Sequence, residues 1–386
     1  MSKITFKTEE LKKRLAQLGA VVSKKAATPV FGFIRMYAVP NGETFAVGIT
    51  GADIDAKLNL WTGATADSAV DVLLPFSKLT EIVSNITGEE VSLTVADNGQ
   101  TVKLAALKFK ASLPTHPIEK WGDVGEAEKP EVAIVELGLP GLKDQIAHVD
   151  YVVPAASGKF VVSVALLFSD GKTVQAIGTD GFRLAISSVA MEKPEFKLLL
   201  PKTALELITK LEGGTVVRIY QAEAGFFFET DTELLMVTLT NGEFPPYERI
   251  IPSSFKGQFS IAQGGFVGAV RRTKPLADPE KPVITFKVTA FNADGGGELS
   301  VSAAHAEASA DGASFRNMAS DEVDITAATG EAIDFSLDAA YLLDFLEKAS
   351  GNIVVNVKGS TEIVDFQAGS GAYRYLVMPT TPATRE

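Results

Sequence analysis

The strongest constraint in this sequence is an internal repeat with a period of about 126 residues. Gly51-Ala52-Asp53 recurs as Gly178-Thr179-Asp180, Pro75 as Pro201, and Leu113 as Leu239. Each copy holds the same order of patterns: an apolar stripe at helical spacing, alternating strand-like segments, a second short helical stripe, and closing strands. A period this long describes a whole domain, not a solenoid turn. The chain is therefore predicted to be three copies of one α+β domain, at residues 1–127, 128–252 and 253–386. The third copy is longer, and the excess is expected in Ala- and Asp-rich segments such as Asp311 to Asp324. Each copy also divides into halves of one short helix and about four strands, so the repeat is weakly sixfold.

Six helical segments follow from the spacing. Leu11, Leu15 and Leu18 form one face near Thr8 to Gln17, and Leu79, Ile82, Val83 and Ile86 form the next. A third runs from Pro140 to Val149, and a fourth carries Leu205, Ile208 and Leu211. Phe266, Val267 and Val270 mark the fifth. The sixth, Asp338 to Ala349, starts with Asp338 as N-cap. Asp97-Asn98-Gly99 is a hairpin turn. Gly122 to Pro130, acidic and bearing Gly and Pro, is expected to be a linker.

Several chemistries find no support. The chain has no cysteine, which removes disulfides and thiolate nucleophiles or metal sites. No apolar stretch is long enough to span a membrane, and the N-terminus lacks a signal-type apolar core, so a cytoplasmic protein is expected. His116, His148 and His305 have no metal-ligand spacing, and His116, set between prolines, is expected at the surface. Asp53 and Asp180 occupy matching places in the repeat and are expected to cap turns rather than to form a catalytic pair. Gly295-Gly296-Gly297 is not followed by a phosphate-loop lysine. The expectation is a protein that is no enzyme and needs no metal or cofactor.

The stretch Gly178-Thr179-Asp180-Gly181-Phe182-Arg183-Leu184-Ala185 sets a charged fork beside an apolar contact on a strand–turn–strand segment. It is followed by Phe244-Pro245-Pro246-Tyr247-Glu248-Arg249-Ile250-Ile251-Pro252, then by Tyr341-Leu342-Leu343-Asp344-Phe345-Leu346 and Tyr375-Leu376-Val377-Met378-Pro379. These four motifs, in this order on a threefold repeat, make the whole chain resemble the bacterial sliding clamps, the beta subunits of DNA polymerase III. The resemblance implies three clamp domains, each with two short helices packed on antiparallel sheets, and a head-to-tail homodimeric ring of six domains. It implies no catalysis. It implies instead a processivity factor that encircles double-stranded DNA without sequence preference, is placed there by a clamp loader, and tethers DNA polymerases and repair polymerases through their short peptide motifs. A diverged paralogue that binds such peptides without stably encircling DNA is the alternative.

Carried over by motif, the peptide pocket would be walled by Thr179, Gly181, Phe182, Arg183, Leu184, Pro245, Arg249, Ile250, Tyr341, Leu376, Met378, Pro379 and Thr380. Apolar peptide anchors need a water-excluding pocket, and a flanking arginine can bind carboxyl or carbonyl groups. On burial statistics alone, Leu184, Ile250 and Leu376 would be ordinary core. Two departures bear on specificity: the family usually has His where Phe182 stands, and Thr381 to Glu386 extend past the Met-Pro pair. The DNA-contacting candidates are Lys24, Lys25, Lys159, Lys202, Arg271 and Arg272, and the dimer candidates are Phe109 and Leu276. The net charge of −12 argues against DNA until it is divided. The six helical segments with their adjacent loops sum to +3 and the remainder to −15, which suits a ring acidic outside and mildly basic inside.

Overall fold

The computed structural model describes residues 1–22, 28–124, 128–155, 163–239, 242–291, 295–308 and 314–380. The first copy of the repeat supplies β1 (Ser2–Lys7), α1 (Thr8–Leu18), β2 (Phe33–Asn41), β3 (Thr44–Ala52), β4 (Ala56–Thr62), β5 (Thr65–Ala66), β6 (Val70–Pro75), α2 (Phe76–Ser84), β7 (Glu90–Val95), β8 (Thr101–Ala106) and β9 (Phe109–Pro114). The second supplies β10 (Val135–Gly138), α3 (Leu139–Ala147), β11 (Val164–Ser169), β12 (Thr173–Thr179), β13 (Arg183–Ala190), β14 (Phe196–Pro201), α4 (Lys202–Thr209), β15 (Val216–Gln221), β16 (Gly225–Glu229) and β17 (Glu233–Thr238). The third supplies β18 (Gly257–Ala262), α5 (Gln263–Thr273), β19 (Val283–Phe291), β20 (Gly297–Ala308), β21 (Ser314–Gly330), β22 (Phe335–Asp338), α6 (Ala339–Leu346), β23 (Asn352–Val357), β24 (Val364–Ala368) and β25 (Tyr373–Val377).

The predicted helical faces are the buried ones. Leu11, Leu15 and Leu18 of α1, Leu79 and Val83 of α2, and Phe266 and Val270 of α5 are almost fully buried. Each such side chain contributes about 1.5–3 kcal/mol on leaving water. Asp338 caps α6, its carboxylate accepting from the Ala340 N–H at 2.7 Å and the Tyr341 N–H at 3.3 Å.

The chain packs as two compact units. The first comprises Met1–Lys143 and Thr203–Asn241, and the second Asp144–Lys202 and Gly242–Glu386. The first unit holds a sheet in the order β5-β1-β7-β8-β9 and another in the order β10-β15-β16-β17-β4-β3-β2-β6. The second unit is built on one long sheet, β14-β11-β12-β13-β25-β24-β23-β18-β21-β20-β19-β22. All three boundaries between the units fall within the predicted second domain, because sheet pairing runs from one copy of the repeat into the next.

Those junctions share one register. In the first unit β17 lies antiparallel to β4, from Glu233↔Leu60 to Val237↔Ala56. In the second unit β25 lies antiparallel to β13, from Tyr373↔Ser187 to Val377↔Arg183. Each ladder closes with one further bond onto the opposing turn: the Thr238 N–H donates to the Asp55 carbonyl (2.9 Å) and the Met378 N–H to the Phe182 carbonyl (3.0 Å). Leu58, Leu60, Leu235 and Val237 are buried at the first junction, and Ala185, Tyr375 and Val377 at the second. The strand of the first copy that matches β17 and β25 is β9, which lies at the edge of its sheet. The strand of the third copy that matches β4 and β13 is the first part of β21, where Ser314 to Asp324 pair with β20 alone among the described residues.

Several local expectations change. The sequence suggests a strand from Val30 to Val39, but Pro29–Gly32 forms a 3-10 turn before β2, since Pro29 favours a turn start and cannot donate to a ladder. The predicted linker begins inside a 3-10 helix, Ile118–Val124, whose Trp121 is buried with Val30, Ala52 and Leu73. His116 is half-buried rather than at the surface, stacked on Phe33 at 4.7 Å between ring centroids. Counting from the hairpin turns, Leu113 matches Val237 rather than Leu239. The excess of the third copy includes added length in the β20–β21 hairpin, paired from Gly297↔Ile325 to Ala308↔Ser314.

Candidate functional site

The site grows from the turn between β12 and β13. Asp180 and Thr179 make this turn rigid. The Asp180 Oδ1 accepts from the backbone N–H of Phe182 (2.9 Å) and Arg183 (3.0 Å). The Thr179 hydroxyl donates to the Arg183 carbonyl (2.8 Å) and accepts from the Gly181 N–H (3.1 Å). Gly181 sits at φ +92°, a conformation that side chains strain to adopt. Both aspartates expected to cap turns do so, for Asp53 accepts in the same way from the N–H of Asp55 (2.9 Å) and Ala56 (2.8 Å).

Arg183 then points inward. Its side chain is only 9% exposed. Nε bonds the Asp180 Oδ2 at 2.8 Å, one terminal nitrogen bonds the Asp344 Oδ2 at 2.7 Å, and the other bonds the Tyr151 carbonyl at 3.3 Å. The guanidinium lies over the Tyr341 ring, 4.0 Å from its centre, an arrangement of cation–π type. Burial disfavours the charge on Arg183, but Tyr375, Asp344 and Asp180 outweigh it and hold its pKa above the ordinary value. Behind it the Tyr151 and Tyr373 hydroxyls bond each other at 2.7 Å, and the Tyr375 hydroxyl donates to the Tyr341 carbonyl at 2.8 Å. Burial pushes all three hydroxyls above the usual tyrosine range. His148 stacks on Tyr373 at 4.1 Å, and burial lowers its pKa.

The candidate wall thus divides into a floor and a rim. Leu184 and Leu376 are buried with Val164, Leu166, Ile177, Ile186 and Phe244, which is the core placement that burial statistics favour. Thr179 is buried as well. Phe182, Met378 and Ile250 are exposed at 60%, 44% and 46%. Phe182 and Met378 face each other across the end of the β13–β25 ladder. Pro379 and Thr380 continue the chain from there, and the Thr380 N–H donates to the Ser336 carbonyl at 2.8 Å. Pro245, Arg249 and Ile250 belong to the segment whose Phe244 and Tyr247 pack on the same core cluster. Arg249 itself is exposed. The arginine able to meet a ligand carboxylate is therefore Arg249, while Arg183 is occupied by the protein's own acceptors. The motifs did not assign Tyr151 or Asp344 to the site. The spacing offered a signal for Asp344, which lies three residues after Tyr341 on α6 and so shares its face.

Of the DNA candidates, Lys24, Lys25 and Lys159 lie outside the described residues. The Lys202 ammonium donates to the Asp150 carbonyl. Arg271 pairs with Glu347 at 2.8 Å and Arg272 with Asp321 at 2.6 Å. Such exposed pairs are worth about 0–1 kcal/mol, so neither arginine is firmly held. Of the dimer candidates, exposed Phe109 lines a cavity of about 740 Å³ with Ile82, Ile86, Leu107 and Leu113. Leu276 stands partly exposed on the 3-10 turn Lys274–Leu276.

No family model matches the chain. It is 23% identical over 395 residues to the beta sliding clamp of Pseudomonas putida, covering 97% of this chain and 98% of that one. It is 20% identical over 390 residues to the beta sliding clamp of Escherichia coli K12, covering 98% and 99%. Its structure superposes on the Bacillus subtilis DNA polymerase sliding clamp with a TM-score of 0.85, at 17% identity over 98% of this chain and 99% of that one. A Pseudomonas aeruginosa clamp bound to griselimycin gives 0.84, at 19% identity and the same coverage. From end to end, the chain has the fold of the DNA polymerase sliding clamps. Its similarity in sequence is to the bacterial beta clamps, the beta subunit of DNA polymerase III.

Proposed function

We propose that this chain is a sliding clamp, a non-catalytic processivity factor whose two copies close head to tail around duplex DNA. The observation that carries the reading is the pairing of its edges. The β4 and β13 edges are covered by β17 and β25, whereas among the described residues their counterpart in the third copy, β21, and the counterpart of β17 and β25 in the first, β9, are left open. A chain with two unlike, complementary edges can associate head to tail, and rotation that closes gives a ring. Lys78, Lys108 and Lys110 with Glu81 lie at or beside β9, while Asp321, Glu322 and Asp324 with Arg316 lie on β21, so the two edges are of opposite net charge. Phe109 and the cavity beside it would receive apolar groups from the partner copy, Leu276 among them.

In this reading the domains are 1–127, 128–252 and 253–386. Lys24, Lys25, Lys159, Lys202, Arg271 and Arg272 would contact DNA phosphates, weakly and without sequence preference. The rim of Phe182, Ile250, Met378 and Arg249 would receive short peptides from polymerases and repair proteins, over the floor of Leu184 and Leu376. A clamp loader would open the ring, and the protein would work in the cytoplasm. Among the described residues no helix is long and apolar enough to cross a membrane. The second reading, a paralogue that binds peptides without encircling DNA, draws on the acidic partners of Arg271 and Arg272. Two measurements decide. The ring reading expects twice the chain mass in solution, and loader-dependent retention on nicked circular DNA that is lost on linearisation. A monomer at tens of micromolar, or equal retention on linear DNA, overturns it.

A further inference from the structure

The third copy's hairpin differs from its two counterparts. Beyond its last pair with β2, Arg35↔Thr50, strand β3 continues for Gly51 and Ala52 only. Beyond Leu166↔Ile177, strand β12 continues for Gly178 and Thr179 only. Beyond Thr285↔Ser302, strand β20 continues from Ala303 to Ala308, paired throughout with β21. The result is a two-stranded ribbon that overhangs its sheet. Its extra pairs, His305↔Asn317 to Ala308↔Ser314, add about 13 Å of reach at about 3.3 Å per residue. Near its base His305 Nδ1 approaches the Asp278 carboxylate at 3.6 Å, just past the turn that carries Leu276.

A second observation concerns the opposite edge. At both internal junctions the ladder closes with an N–H from the last strand, Thr238 to the Asp55 carbonyl and Met378 to the Phe182 carbonyl. Matching the hairpin turns and the common register places Pro114 of β9 where Thr238 and Met378 stand. Proline has no N–H, so β9 cannot close a ladder in this way. The same matching sets Arg316 of β21 against Asp55 and Phe182. In the short turns the N–H at that place is taken by the capping aspartate. In the ribbon, residue 316 is ordinary strand, and its backbone N–H alternates toward the open edge.

Resting on the ring reading, we propose that the ribbon is an arm onto a second copy of this chain. The partner copy's β9 pairs along Asn317 to Asp321, with Phe109 opposite Asp321 and Leu113 opposite Asn317. The Arg316 N–H donates to the partner copy's Pro114 carbonyl, which replaces the closing bond that proline cannot make. Exposed Met318 stands opposite Ser112 and beside Pro114, covering the end of that strand.

The test is subunit exchange between two fluorescently labelled dimers. In one variant His305–Asn317 is replaced by the first hairpin's own turn, Asp-Ile-Asp-Ala. In the other, Arg316→Pro removes one outward N–H and leaves the ribbon in place. Each is expected to remain dimeric and to exchange about 5-fold faster, the worth of about one net hydrogen bond. Adding Pro114→Thr to the grafted chain is expected to restore the parent rate. Exchange at the parent rate in both variants overturns the arm and leaves the ring reading standing. A parent chain that never dimerises overturns the ring reading itself, and the arm with it.

Discussion

The turns at Asp53 and Asp180 are the same device put to two uses. Each aspartate holds the next two free N–H groups, and each turn accepts a closing bond from the last strand of the neighbouring copy. The first turn adds nothing to that frame: Ile54 and Asp55 stand in solvent, and Ala56 begins the next strand. The second puts Gly181 where Ile54 stands, Phe182 in place of Asp55 and Arg183 in place of Ala56. The arginine then gathers Asp180, Asp344, Tyr151 and Tyr341 around it. The repeat supplies a rigid strand–turn–strand scaffold, and three substitutions give one copy of it a buried arginine cluster beside an exposed Phe182.

The two turns differ most at Arg183. Arg183→Ala is expected to lower unfolding free energy by about 3 kcal/mol in urea denaturation, because it leaves buried acceptors without their cation. No change in midpoint would mean that the second turn is no more committed than the first. Next in size are the two caps. Asp180→Ala is expected to cost about 2 kcal/mol and Asp53→Ala about 1 kcal/mol, the excess being the lost bond to Arg183. Equal losses would show that the arginine adds nothing to the turn. Phe182→Ala removes an exposed side chain that Asp55 replaces in the first turn. Stability should move by less than about 0.5 kcal/mol, while fluorescence anisotropy with a peptide from the cognate polymerase should report about 10-fold weaker binding.

The smallest effect is one of pH. Burial raises the Asp53 pKa above its ordinary value, despite the N–H bonds that favour its charge. A raised folded pKa means that its favourable contribution is full below the unfolded value of about 3.9 and fades as pH rises through the folded one. Asp53→Asn keeps the acceptor and removes the titration. Its stability relative to the parent should therefore improve slightly between pH 4 and pH 7, and a flat difference would contradict this.

How far these features were legible depends on how local they are. The helical faces and the aspartate caps are written in spacings of a few residues, and the structure keeps them. The commitments of Arg183 are not local, since Asp344 lies 161 positions away and meets it only after β13 has paired with β25. The same holds for the floor: Leu184 and Leu376 touch because two copies of the repeat share a sheet. The ribbon was legible as surplus length but not as strand. Its Ala, Ser and Asp composition favours loops, and the pairing of β20 with β21 overrides that preference. Trp121 stands just before the stretch whose glycine and acids suggest a tether, and its burial with Val30, Ala52 and Leu73 shows only in the fold.

The shared register of the junctions has a topological consequence. In a closed pair, the junctions of β4 with β17 and of β13 with β25 are backed by continuous chain, so parting either one opens no gap in the loop. Only a seam between copies, of which a closed pair has two, can let a threaded polymer escape. The polymer is then held by linkage rather than by adhesion: its residence is the waiting time of such a seam, whatever the friction along the bore. Grip and glide become independent quantities, one tuned at the β9–β21 edge and the other at the inner surface.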